Sequence, residues 1–169
     1  MYATAIAIHA TAGTAGFVLG LLLACRPGLA GRRRPVVRVY VGLIVVLVAG
    51  LAAAVIADWS GMEASRRLVD VGLILLGLYT LHRAVRALRV SRAAGGEWRP
   101  AFVDHVGFTL ISLFDGFVIV AALNLGAPTP LVLLIAALGV VGGIAGVHRL
   151  RVRAETEAGA RRASDPDRV

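Results

Sequence analysis

The chain has 169 residues, 58% of them hydrophobic and 17% charged, with a mean hydropathy of +0.81. A soluble domain usually runs at roughly 45–50% apolar and about 25% charged residues, so a disordered chain, a disulfide scaffold and an ordinary cytosolic domain are excluded. The net charge is +8, the pI is near 11.3 and all 18 basic residues are Arg. So basic a balance can mark a nucleic-acid binder. Here the Arg residues sit between apolar blocks, where orientation in a bilayer explains them, and no nucleic-acid partner is expected. The Arg, Ala and Val usage is that of a high-GC bacterial genome.

A bilayer core of about 30 Å needs about 20 mainly apolar helical residues. Five blocks meet that length: 3–24, 36–57, 68–88, 101–123 and 130–148. The first is long for a signal peptide and has no positive segment before it, so a retained span is expected. Leu22-Leu23-Ala24-Cys25 has the look of a lipoprotein cleavage box, but the Arg cluster lies after it rather than before. Arg26-Pro27-Gly28 ends this block, Ser60-Gly61 ends the second, and Gly95-Gly96 with Trp98-Arg99-Pro100 precedes the fourth. Gly126-Ala127-Pro128-Thr129-Pro130 separates the last two. Gly and Pro in these clusters punctuate helices. Residues 154–169, with Glu155, Glu157, Asp165 and Pro166, read as a polar helix extension fraying into a tail.

The joins differ in charge. Arg26, Arg32, Arg33, Arg34 and Arg38 flank the first, and Arg83, Arg86, Arg89, Arg92 and Arg99 the third. Arg149, Arg151, Arg153, Arg161, Arg162 and Arg168 follow the last span. The second join has only Arg66 and Arg67, and the fourth none. The positive-inside rule then predicts an all-α bundle of five transmembrane helices in a bacterial inner membrane, amino terminus outside and carboxy terminus in the cytoplasm. Residues 1–153 form the membrane domain on this reading. Trp59 and Trp98 fall where an aromatic belt is expected. The one cysteine, Cys25, allows no internal disulfide and no CxxC redox pair.

Helices in lipid meet through small residues. Ala5, His9, Ala12, Gly13, Gly16 and Gly20 make one stripe on the first span. The last span has two overlapping GxxxG pairs, Gly139 with Gly143 and Gly142 with Gly146. These pack the subunit together, or serve as a seam for a homo-oligomer or a membrane partner.

Ionisable residues at membrane depth are costly, and each is a functional candidate. They fall into two layers. His9 lies roughly 10 Å below the outer surface and Asp115 roughly 14 Å, at 1.5 Å of rise per residue. Similar depths allow a His9–Asp115 pair, which would serve as a proton relay, as the acid of a membrane enzyme, or as a structural hydrogen bond. Asp70 sits about one turn down and is expected to be wet. The inner layer holds His82, His105 and His148 at the ends of three spans, with Asp104 and Tyr40 at the same level. Neutral imidazoles from facing helices can ligate a transition metal or haem. Asp104 would orient a ligating histidine. Equally, His and Arg at helix ends commonly snorkel to the headgroups. There is no HExxH, no Walker loop and no nucleophile elbow.

The order Ile8-His9, Arg38-Val39-Tyr40-Val41, Leu81-His82-Arg83 and Asp104-His105-Val106-Gly107 resembles that of an uncharacterised family of predicted bacterial membrane proteins with histidines at helix ends. The resemblance covers about residues 5–124. It implies the helical membrane fold and carries no activity. That family usually has a His before the second span, where this chain has Arg33 or Arg34. The leading expectation is a small inner-membrane protein binding a cofactor or apolar ligand inside its bundle, with haem or a metal near His82, His105 and His148 as its sharpest form. A proton-relay or transport protein, a membrane enzyme using Asp115 and His9, and an accessory subunit of a membrane complex are the rivals.

Overall fold

The computed structural model describes residues 2–32, 34–92 and 98–164. All its regular structure is helical: α1 (Tyr2–Cys25), α2 (Gly28–Arg32), α3 (Arg34–Asp58), α4 (Ala64–Arg92), α5 (Trp98–Asn124) and α6 (Thr129–Ser164), with a 3₁₀ turn at Trp59–Gly61. Arg33, Gly95-Gly96 and the tail residues Asp165-Pro166 lie outside the described residues. Five helices are long and apolar enough to cross a membrane. They are the five blocks anticipated, each extended at its ends.

The extensions have simple causes. Arg and Ala are strong helix formers, so α4 continues through the Arg86–Arg92 turns beyond its apolar block. α6 likewise runs on to Ser164, and Arg151 Nε donates to Glu155 Oε1 at 2.9 Å across one turn. Pro100 is tolerated because it falls in the first turn of α5, where no intrahelical N–H bond is lost. α2 was not anticipated. After Pro27-Gly28 the chain takes one further helical turn, with Ala30 N–H bonded to the Pro27 carbonyl at 3.0 Å. Gly126 has φ +72°, the left-handed conformation that lets the chain leave α5.

α1, α3, α4 and α5 close a four-helix ring, in which each helix packs on two others. α6 stands outside the ring and packs mainly on α5. The ring is tightest at its arginine-rich end, where α1, α4 and α6 run into Arg26, Arg89 and Arg149. There Leu23, Val37, Tyr40, Ile44, Ala84, Ala87, Phe102 and Val106 are fully buried. Elsewhere the helices keep large apolar side chains outside. Leu68, Ile56 and Phe117 are 76%, 75% and 71% exposed. A monomeric soluble protein rarely shows apolar surface on this scale, and five such helices fit a multi-pass membrane protein.

Glycine sets two close seams. On α1, a side-chain carbon at Gly16 would lie 3.3 Å from Ile44 Cδ1, and one at Gly20 would lie 3.0 Å from the Tyr40 ring. On the α5–α6 seam the partners run antiparallel at four-residue steps: Gly107 against Val147, Ile111 against Gly143, Asp115 against Gly139. A carbon at Gly143 would stand 2.5 Å from Ile111 Cγ1. A side-chain carbon added at Gly142 or Gly146 would meet no atom of another helix within 4 Å. Of the two overlapping GxxxG pairs, Gly139/Gly143 packs the subunit and Gly142/Gly146 faces outward.

Candidate functional site

His9 and Asp115 are not brought together. His9 sits on the small-residue stripe of α1, as its spacing implies, but that stripe faces α3. Its Nδ1–H donates to the Leu47 carbonyl at 2.8 Å, and its backbone passes Gly50 closely. Asp115 points to the other side of the bundle, toward α6, where its Oδ1 is seated over Gly139. The sequence places the two residues at similar depths, and depth says nothing about azimuth. His9 is therefore a helix-orienting hydrogen bond between α1 and α3, while the Asp115 Oδ1 is buried with no hydrogen-bond partner.

The inner layer also sorts differently from its sequence reading. His82 and His148 are both exposed. His82 stacks on Tyr79 with ring centroids 6.2 Å apart. Asp104 orients no histidine, because Arg83 claims its carboxylate. Arg83 Nη2 donates to Asp104 Oδ2 at 2.7 Å and to the Asp104 carbonyl at 3.3 Å. The same guanidinium lies 5.0 Å from the centroid of the Phe108 ring, and Tyr79 meets that ring edge-on at 5.1 Å. An aromatic pair and an ion pair thus lock α4 to α5. Among the described residues no group of three or more His, Cys, Asp and Glu is placed to hold a metal ion.

His105 remains. It is half-buried, and its Nδ1 is buried without a partner. Three further polar atoms share this condition at the same end of the ring: Tyr40 Oη on α3, and Thr80 Oγ1 and Arg83 Nε on α4. Tyr40 is fully buried and its hydroxyl faces Thr109. Thr109 has turned its own hydroxyl back onto the His105 carbonyl at 3.1 Å, and Tyr40 gains no well-aligned bond. Thr80 shares a helical face with Ala84 and Ala87, the face that enters the core. The four atoms come from three helices that pack in sequence, α3 on α4 and α4 on α5, and combine donors, a phenol and an imidazole.

The cost of this arrangement is large. An unsatisfied buried polar group costs about 1–3 kcal/mol, so four of them cost roughly 4–12 kcal/mol. A whole domain is stable by only about 5–15 kcal/mol. Orphan groups in such number call for an explanation, of which a bound polar partner is one. Tyr40 was legible as a residue at the level of the inner histidines, and Arg83 only as one of the arginines of the third join. Thr80 carried no signal, since a threonine inside an apolar helix ordinarily bonds its own backbone.

Comparison with models of protein families, with curated proteins and with solved structures finds no match. The reading of this site rests on its geometry alone.

Proposed function

We propose that this chain is a multi-pass protein of a bacterial inner membrane that binds a ligand at the arginine-rich end of α3, α4 and α5. The observation that supports the reading is that Tyr40 Oη, Thr80 Oγ1, Arg83 Nε and His105 Nδ1, on the adjoining helices α3, α4 and α5, are all buried and without a hydrogen-bond partner. The ligand has a polar, hydrogen-bonding part that meets these atoms, and an apolar part suited to the surrounding core of Val37, Ile44, Phe102 and Val106. Haem or a transition metal is the sharpest form the sequence suggests, but the structure offers it only one partly buried histidine, and among the described residues no group of three or more His, Cys, Asp and Glu is placed to hold a metal ion. His105 is then the protein nitrogen to test, since Asp104 is held by Arg83 and the other two inner histidines are exposed.

Two experiments test this reading. The first is a visible spectrum of detergent-purified protein, oxidised and dithionite-reduced, with metal analysis on the same sample after haem-supplemented expression. A Soret band lost in His105→Ala supports the haem form. A blank spectrum without stoichiometric metal rules out both haem and metal, leaving an organic ligand. The second addresses orientation. The Arg distribution puts the amino terminus outside and the carboxy terminus in the cytoplasm. Cys25 is exposed and is the sole cysteine, so a membrane-impermeant maleimide should label it in broken cells and spare it in intact ones. Labelling in intact cells would reverse the orientation.

A further inference from the structure

Asp115 stands apart from the site above and has a different chemistry. It is 8% exposed, and its Oδ1 has no hydrogen-bond partner. A β-carbon on Gly139 would lie 2.5 Å from that oxygen, so only glycine on α6 admits the carboxyl to the seam. No cation faces it. On α6 there is no titratable residue between Thr129 and Val147. On α1 the one titratable residue at depth is His9, bonded to Leu47. On α4 the register set by Arg83–Asp104 and Tyr79–Phe108 puts Asp70, another acid, near the level of Asp115, with Arg67 one turn further toward the start of α4, its guanidinium over the Trp59 ring. On α3 none lies between Tyr40 and Asp58. The carboxyl has no ion-pair partner among the described residues, and proton relays are one of the tasks that keep acids at membrane depth.

The side chains along α5 give the carboxyl a direction. From Gly116 to Leu123 every residue is apolar or glycine. Toward the other end Ser112, Thr109 and His105 follow at steps of three, three and four residues, on adjoining faces of the helix. These steps are roughly 4.5–6 Å of rise along the axis, so the route needs water between the groups. Ser112 donates to the Phe108 carbonyl at 3.1 Å and Thr109 to that of His105 at 3.1 Å, which leaves their hydroxyl lone pairs free to accept.

We propose that Asp115 is a reversible proton-binding site, reached from the arginine-rich end of α5 through Ser112, Thr109 and His105. The proton comes from water at that end, passes hydroxyl to hydroxyl, and returns by the same route. Nothing else is consumed; Asp115 itself lies outside the ligand site proposed above, and the route shares only His105 with it.

Dicyclohexylcarbodiimide tests the proposal. This apolar reagent enters the bilayer, and the O–H of a protonated carboxyl adds across its C=N bond with no leaving group. The full chain is reconstituted in vesicles with pH set separately on the two sides, and its peptides are weighed after treatment. The expected result is one added carbodiimide on Asp115, absent in Asp115→Asn, retained in Asp70→Asn, and falling as pH rises at the arginine-rich end alone. Ser112→Ala, which keeps the carboxyl and removes a step of the route, should slow the response to that pH. An unlabelled Asp115 at every pH, or labelling that follows the pH of the opposite side, would overturn the proposal, as would a Ser112→Ala variant that responds like the unaltered protein.

Discussion

Gly143→Ala and Gly142→Ala differ by one position on α6 and should have opposite effects. A methyl at Gly143 would stand 2.5 Å from Ile111 Cγ1 and 3.1 Å from its Cδ1. Carbon atoms settle at about 3.5–4.0 Å, so the contact is short by roughly 1 Å. Ile111 cannot swing clear, because a β-branched side chain in a helix has essentially one χ1 rotamer. The flanking steps at Gly107–Val147 and Asp115–Gly139 are as tight, so α6 must move away from α5 as a whole. Overpacking of this kind costs about 1–3 kcal/mol, and even 1–2 kcal/mol is a factor of about 5–30 in the folded-to-unfolded ratio. At Gly142 an added carbon would meet no atom of another helix within 4 Å, and replacing a helical glycine by alanine gains roughly 0.5–1 kcal/mol. Unfolding of the purified protein from mild detergent into dodecyl sulfate, followed by circular dichroism, reads both. A Gly143→Ala protein as stable as the unaltered one would refute the packing argument. A Gly142→Ala protein that loses as much would show that the outward glycine pair is itself an interface between chains.

Three other substitutions follow from the same geometry. His9→Ala removes the bond to the Leu47 carbonyl and the half-buried imidazole ring; interhelical hydrogen bonds in membranes average about 0.6 kcal/mol, and with the lost ring packing the same unfolding assay should read a loss of about 1–2 kcal/mol. Asp104→Ala breaks the pair with Arg83, but Asp104 is 46% exposed, so the loss should stay below about 1 kcal/mol and shrink with added salt. Tyr40→Phe removes a hydroxyl that has no well-aligned partner, so stability should hold or rise by up to about 1 kcal/mol in the empty protein, while ligand retention, read by mass spectrometry of the intact protein, should fall.

The membrane helices were legible because twenty apolar residues between arginine clusters leave little alternative. Their azimuths were not, and every error at the site follows from that. Nothing in the sequence marks the Leu47 carbonyl as the partner of His9, since a backbone acceptor carries no residue code. Asp104 was readable as an acid next to a histidine, but not as the partner of Arg83 on another helix. The two GxxxG pairs on α6 look alike in sequence, and only the rotation of α6 against α5 separates Gly143 from Gly142. The polar stripe of α5 was visible at 3.6-residue periodicity. Its meeting with Tyr40 and Thr80 depends on ring closure by α3 and α4, which hydropathy does not encode.

The central claim is that the buried polar atoms of Tyr40, Thr80, Arg83 and His105 form the wall of a ligand site. Native mass spectrometry of the protein released from mild detergent tests it most directly. The account predicts a bound mass beyond the polypeptide, lost or weakened in Tyr40→Phe and in His105→Ala while both variants remain folded. A bare polypeptide mass from protein taken straight from its own membranes, or a bound mass indifferent to both substitutions, would contradict it.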